Sequence, residues 1–236
     1  RKGISTFWVI TVPFRHGKSE IISRKLPAHF LGLFPDSKVI LCGHTETLTE
    51  GFSKTSRSII KTKQYSELFP NICVDPESAS GAHWKIKDHE GECFASGLLG
   101  SLSGQGYNLG LLDDYCRNRA DAESDTLREK MWNAFTNDFM TRRAPVSITI
   151  VLATPWHVDD IIGRLKKRVK EDPEFPHFKC LSFPAMRLRI CSSSLRLFTS
   201  LKRLSRFSMN FDSTSIGASS PGGTTSVLSC NTATAW

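Results

Sequence analysis

Membrane spans, export signals and a cysteine framework are all missing from this 236-residue sequence. No apolar run reaches the roughly 18 residues that a membrane-spanning helix needs, and the N-terminus has no signal-peptide layout. The seven Cys residues form no C-x-x-C pair and are odd in number, so the sequence favours neither a zinc site nor a disulfide framework. We therefore expect a cytoplasmic protein with no membrane partner. The chain starts at Arg1 rather than Met, and we expect further sequence upstream.

Acidic residues are nearly absent from the end of the chain. Residues 187–236 hold 12 Ser and 6 Thr but a single acidic residue, Asp212, and show almost no apolar periodicity. This composition is not that of a packed core, so we expect a globular domain at 1–186 and either a disordered or a frameshifted tail after it. The tail also carries most of the net charge of +8, since 25 Lys and Arg face 22 Asp and Glu in residues 1–186. Total charge therefore argues only weakly for a nucleic-acid partner.

The globular part is predicted to be an α/β domain, with a mostly parallel central sheet flanked by helices. Short apolar runs alternate there with longer amphipathic segments, and near-continuous aliphatic runs are typical of strands buried on both faces. Residues around 84–96 predict a hairpin inserted before the next core strand. The predicted strands are 7–12, 38–42, 109–112 and 147–153, and the predicted helices are 18–34 (bent or interrupted at Pro27), 46–63, 121–140 and 158–171.

One stretch, PFRHGKSE at residues 13–20, matches part of a phosphate-binding loop. The full pattern is G-x-x-x-x-G-K-[ST], and here Val12 stands in place of the first glycine. A phosphate loop needs a strand, a tight turn that presents backbone amides, and a helix start, and FWVITV, PFRHG and KSEIISRKL predict these three parts. The alternative is a surface turn that contains GKS by chance.

If the loop is real, its side chains have defined roles toward ATP and Mg²⁺. Lys18 is predicted to reach the β- and γ-phosphates, Ser19 to bind Mg²⁺, and Arg15 to add a second positive charge. The predicted nucleotide-binding residues are Arg15, His16, Gly17, Lys18 and Ser19.

A nucleotide loop of this type also requires an apolar strand that ends in a carboxylate. The stretch LGLLDDYC supplies it, with Asp113 predicted to bind Mg²⁺ through water and Asp114 to orient or deprotonate the attacking water. The alternative is a helix cap beside a solvated neighbour.

Two further polar sites follow the apolar strand SITIVLA. Thr154 is predicted to contact the γ-phosphate or its water, although an ordinary capping role is equally compatible with the sequence. Asp159 and Asp160 are expected in the first turn of the next helix rather than in a metal site. Residues 164–168 and Lys170 are expected to form its solvated basic face.

These motifs, taken in chain order, resemble the ATPase domain of tailed-bacteriophage large terminase subunits. The matching stretches between Phe7 and Ala185 are PFRHGKSE, SGLLGSLSGQGYNLGLLDD, RADAES with Arg128 beyond it, TPWHVDDIIGRL and FPA. The resemblance implies a homo-oligomeric ring ATPase that drives double-stranded DNA into a capsid, with a portal protein and a small terminase subunit as partners. It assigns Arg15, Lys18 and Ser19 to Walker A, Asp113 and Asp114 to Walker B, and Thr154 to the coupling motif, and the family tolerates the missing first glycine.

The sequence also departs from the family pattern. Gln105 stands between two glycines where arginine is common in similar sequences, and Arg128 or Arg142 is a candidate substitute for an arginine that acts on a neighbouring subunit. The acidic cluster of the family's nuclease is absent, so we expect no nuclease activity from this chain. Two alternatives to an active packaging motor stay open, namely an inactive prophage remnant and another nucleic-acid motor with a phosphate loop.

Overall fold

The computed structural model describes residues 5–13, 15–102, 104–172 and 175–183, and the predicted tail lies outside them. The described residues form an eight-stranded, mostly parallel sheet flanked by helices, which confirms the predicted fold class. The strands are β1 (Thr6–Thr11), β2 (Lys38–Gly43), β3 (Val74–Ala79), β4 (His83–Ile86), β5 (Glu92–Gly97), β6 (Tyr107–Asp113), β7 (Arg143–Ala153) and β8 (Lys179–Ser182).

The strand order is β3-β4-β5-β2-β6-β7-β1-β8. All neighbours from β5 to β8 pair in parallel, while β4 and β3 add antiparallel strands at one edge. The predicted hairpin is confirmed as the β4–β5 pair, but its description as an insertion is wrong. Strand β5 pairs in parallel with β2 and is buried along most of its length, so it is itself a core strand.

The helices differ from prediction mainly where a polar residue caps a new start. The predicted helix at 121–140 is broken because Ser124 accepts a hydrogen bond from the amide of Leu127 and begins a second helix. A π-helical turn, Glu20–Lys25, precedes Pro27, whose ring clashes with the carbonyl four residues earlier in a regular α-helix. The α-helices are α1 (Leu26–Leu33), α2 (Glu46–Ile60), α3 (Lys63–Leu68), α4 (Arg119–Glu123), α5 (Asp125–Asn133) and α6 (Ile161–Glu171).

Hydrophobic cores cover both faces of the sheet. Successive residues of a strand point to opposite faces, so Leu111 packs in one core and Leu112 in the other. This double burial accounts for the continuous apolar runs in the central strands. No helix in the described part of the chain is both long and apolar enough to cross a bilayer.

Candidate nucleotide-binding site

The site lies where three adjacent parallel strands end. Strand β7 pairs with both β1 and β6, so the segments that follow these strands meet at one edge of the sheet. This edge carries the loop after β1, the two acids at the end of β6 and Thr154 after β7. Parallel α/β sheets bind ligands at this edge, outside the carboxyl ends of their strands.

The loop after β1 is a tight, exposed turn. Arg15 and Gly17 have positive φ angles of 61° and 73°, and the helix begins as the amide of Ile21 donates to the carbonyl of Gly17 at 3.2 Å. Arg15, His16 and Gly17 are exposed, and a Cβ atom added at Gly17 meets no heavy atom within 4 Å. The loop therefore leaves open space in front of the helix start, as the approach of a phosphate requires.

Lys18 joins the loop to both acids. Its side chain is only 7% exposed and its Nζ atom forms an ion pair with Asp114 Oδ1, while Asp113 Oδ1 lies 3.9 Å away. The structure therefore brings together the lysine and the two carboxylates that the sequence predicted for one site. The two carboxylates thus compensate the charge of the nearly buried ammonium group in this structure.

Asp113 is a buried carboxylate with one oxygen that accepts no hydrogen bond. Ser23 donates to its Oδ2 atom at 2.5 Å, whereas the buried Oδ1 atom has no hydrogen-bond partner. Burial raises the pKa of Asp113, and the charge of Asp114 adds to this, while the nearby hydroxyls of Ser19 and Ser23 and the charge of Lys18 oppose it. An unpaired buried carboxylate oxygen is costly, so Oδ1 is suited to an additional cation or donor.

The residues present fit a magnesium ion that is shared with phosphate. Carboxylate and hydroxyl oxygens are the protein ligands that Mg²⁺ prefers, and Asp113 and Ser19 supply one of each. Within the described ranges, no three His, Cys, Asp or Glu side chains form a group that could hold a metal by themselves. A magnesium ion held here would complete its coordination with water and with oxygens of a bound phosphate, as it does in nucleotide sites.

Asp114 is held in an unusual backbone conformation beside Lys18. Its φ angle is 45°, and its amide donates to the carbonyl of Leu152 in β7 at 3.0 Å. On the other side its carbonyl accepts hydrogen bonds from His44, which follows β2. Sequence reasoning missed His44, because only the strand order shows that the end of β2 lies next to the acids.

Thr154 contacts the loop that contains Lys18. Its Oγ1 atom donates to the carbonyl of Val12 at 3.0 Å, so the end of β7 is fastened to the start of the loop. The sequence predicted a phosphate contact for this hydroxyl, and the structure adds a direct link from Thr154 to the loop backbone.

The expected basic face of α6 is confirmed for Lys166, Lys167, Arg168 and Lys170, which are exposed, but the placement of Arg164 and of the two acids before the helix was wrong. Helix α6 begins at Ile161, and Asp160 is its cap, accepting from the amide of Gly163 at 2.9 Å. Asp159 lies before the helix and binds Arg164 at 2.8 Å. Arg164 is therefore part of an ion-pair network rather than a solvated face, since Glu129 also binds it, at 2.6 Å.

Arg128 is not available to a neighbouring subunit. Its side chain is 6% exposed, it donates to the carbonyl of Ala122 at 2.6 Å, and it forms an ion pair with Asp125. The suggestion that Arg128 substitutes for an arginine acting in trans is therefore wrong on grounds of burial. Arg142 directly precedes the amino end of β7, whereas Thr154 directly follows its carboxyl end.

Comparisons with known proteins identify a matching family and similar structures. The family described as terminase large subunit, T4likevirus-type, N-terminal, matches residues 9–185. The crystal structure of the HK97 bacteriophage large terminase has a TM-score of 0.51 and 15% identity, over 86% of this chain and 43% of that chain. The N-terminal domain of the DNA packaging ATPase from bacteriophage phi29 has a TM-score of 0.44 and 12% identity, over 80% of this chain and 94% of that one. The chain thus spans less than half of the HK97 structure, whose likeness shows a shared fold, and no curated protein matches it.

Proposed function

We propose, since the chain belongs to the family of T4likevirus-type terminase large subunits and matches their N-terminal region, that it is an ATP-hydrolysing DNA-packaging motor domain. In this proposal the domain works in the cytoplasm of a bacterial host. It couples ATP hydrolysis to the movement of double-stranded DNA into a phage or prophage capsid.

One observation supports this proposal more than any other. Lys18 comes from the loop after β1, the two acids come from the end of β6, and they meet at the carboxyl edge of the sheet. A nearly buried cation after an exposed turn and a buried carboxylate whose Oδ1 atom accepts no hydrogen bond are the two halves of a site for a metal-bound triphosphate. A surface turn that contained GKS by chance would not need the two acids beside it, and an ordinary helix cap would not need Lys18.

The proposed mechanism is electrostatic and positional. The amides of the loop, Arg15 and Lys18 hold the phosphates and offset charge that develops on them during transfer. Asp114 accepts a hydrogen bond from the attacking water and orients it toward the γ-phosphorus. Asp113 and Ser19 would hold a magnesium ion, which would supply further neutralisation of phosphate charge.

Thr154 is proposed to report the state of the phosphate. Its hydroxyl contacts the carbonyl of Val12, so a shift of the loop on phosphate binding or release changes the position of the segment after β7. That segment continues into Asp160, which caps α6. A movement of the loop can therefore reach α6 through a short, continuous path.

The partners of the domain are also proposals. We expect it to form a homo-oligomeric ring that acts on double-stranded DNA with a portal protein and a small terminase subunit. Nuclease activity is not expected from this chain.

The test is phosphate release from Mg-ATP by the purified full chain, with and without duplex DNA. We expect hydrolysis that DNA stimulates, and a loss of about 100-fold or more in Lys18→Ala and in Asp114→Asn. Lys38→Ala and Asp36→Asn are matched controls. Lys38 binds Glu92 and Asp36 binds His89, but Lys38 begins β2 and Asp36 precedes it, so both lie at the end of the strand away from the site. Wild-type protein without hydrolysis, or full turnover in both site variants, contradicts the proposal.

A further inference from the structure

The main chain of Asp114 is held in a conformation that its own residue type disfavours. Among the described non-glycine residues, it is one of four with a positive φ angle, here 45°. In this region the Cβ atom of an L-residue crowds its own backbone, so an aspartate left to itself returns to negative φ. Specific contacts must therefore stabilise it.

His44 supplies two of these contacts to a single atom. Its backbone amide donates to the carbonyl oxygen of Asp114 at 3.1 Å, and its ring Nδ1 atom lies 2.8 Å from the same oxygen. A carbonyl oxygen only accepts, so Nδ1 must carry the hydrogen. The third contact, from the Asp114 amide to Leu152, comes from the strand on the opposite side of β6.

The end of β2 is fitted closely against the acids. A Cβ atom added at Gly43 comes within 2.8 Å of the carbonyl oxygen of Asp113, so only glycine permits this approach. The chain at Gly43 thereby brings His44 within reach of the next carbonyl. Gly43, the last residue of β2, and His44 after it thus face the backbone carbonyls of the two acids in turn.

We propose that His44 is a positioning residue for ATP hydrolysis, which acts by holding the Asp114 carbonyl so that the Asp114 carboxylate is directed toward the attacking water. This inference rests on the proposed function of Asp114. His44 itself touches neither the phosphates nor the water in this account. Its ring acts through the backbone alone.

The physical reason is the link between φ and the direction of the side chain. If the ring bond is lost, the carbonyl keeps only the backbone donor of His44, and rotation of Asp114 toward negative φ becomes easier. That rotation turns the Cα–Cβ bond and moves the carboxylate away from the position in which it would orient the attacking water. ATP affinity depends on the loop after β1 and is therefore expected to persist.

The experiment compares His44→Ala, His44→Asn and His44→Gln in the full chain, by steady-state ATPase assay with duplex DNA. The amide nitrogen of Asn lies where Nδ1 does in histidine, whereas that of Gln lies farther along the side chain. We expect kcat to fall about tenfold in His44→Ala, equivalent to about 1.4 kcal/mol. We expect KM for ATP to be nearly unchanged, Asn to restore most of the activity, and Gln to restore little.

His83→Ala is the matched control. His83 is also partly buried and hydrogen-bonded, to Glu92 at 2.8 Å, but it lies on β4, with β5 and β2 between it and β6. Its loss is expected to leave kcat at the wild-type value. Loss of folded protein in either variant is measured separately, from thermal unfolding curves.

The outcomes separate this inference from the proposed function. If the wild type hydrolyses ATP and His44→Ala is equally fast, or if Gln restores activity as well as Asn, the role of His44 is refuted while the motor assignment stands. If the wild type does not hydrolyse ATP, both fail. If His44→Ala does not fold, the comparison of Asn with Gln decides. An NMR spectrum of the wild-type ring that shows Nδ1 without its hydrogen overturns the inference independently of activity.

Discussion

Replacing Lys18 with methionine tests the electrostatics of the site in the absence of nucleotide. Methionine keeps an unbranched apolar stem but removes the ammonium that faces Asp113 and Asp114. The two carboxylate side chains are 2% and 28% exposed, so Asp113 is left as a buried charge without its cation. The variant is therefore expected to lose stability as well as ATPase activity.

The magnitude follows from the burial of the pair. Removing one partner of a buried ion pair costs about 3–5 kcal/mol, and we expect about 3 kcal/mol here because Asp114 is partly solvated. For a domain of this size, about 2–4 °C is lost per kcal/mol, which predicts a fall in Tm of about 6–12 °C. The double variant Lys18→Met with Asp113→Asn removes the orphaned charge and is expected to regain most of this loss.

The pH dependence of the free energy of unfolding gives a second test, because the direction of the effect can be stated in advance. Burial raises the pKa of Asp113 in the folded state, so protonation of this group favours folding. The stability that this proton provides is present at low pH and is lost as the pH rises through the folded-state pKa. The difference in free energy of unfolding between the wild type and Lys18→Met, measured with urea, should therefore be largest near neutral pH and should shrink in acid. Equal stability of the two proteins at neutral pH, or a difference that widens in acid, contradicts the expected role of Lys18.

Two further predictions concern the segment that follows β7. Thr154→Val keeps the shape of the side chain but removes the hydrogen bond to Val12, so urea unfolding should show a loss of about 1 kcal/mol. Nucleotide affinity should stay near the wild-type value, and equal stability would count against the link. Asp160→Ala removes the acceptor for the amides of Gly163 and Trp156, at 2.9 and 3.1 Å, and should cost about 1–2 kcal/mol by the same assay. Asp160→Asn, which retains a capping oxygen, should lose less, and an equal loss in both variants contradicts the capping role.

The central strands were predictable because they are buried on both faces. The predicted strands 7–12, 38–42, 109–112 and 147–153 correspond to β1, β2, β6 and β7. Strand β7 begins at Arg143, earlier than predicted. Its first residues were missed because they lack a continuous apolar pattern. Strand β3, at Val74–Ala79, was missed for a related reason, since an edge strand gains its pairing from backbone hydrogen bonds and its sequence VDPESA is polar.

The sequence predicted only in part which side chains lie together in the site. A glycine–lysine–serine turn after one strand and two acids after another indicate which side chains belong together, because parallel strands end at the same edge. The contacts of Ser23 and His44 with the two acids depend on a π-helical turn and on the strand order. Neither follows from spacing along the chain. The burial of Arg128 likewise depends on how α4 and α5 pack, which its position beyond RADAES does not reveal.

A crystal structure of the full chain with Mg²⁺ and a non-hydrolysable ATP analogue is the decisive experiment for the proposed site. The triphosphate is expected to lie against residues 15–17, with Lys18 bound to the phosphate oxygens in place of Asp114. The metal is expected beside Asp113 and Ser19. A nucleotide bound elsewhere on the domain, or bound while the Lys18–Asp114 ion pair remains intact, contradicts the proposed function.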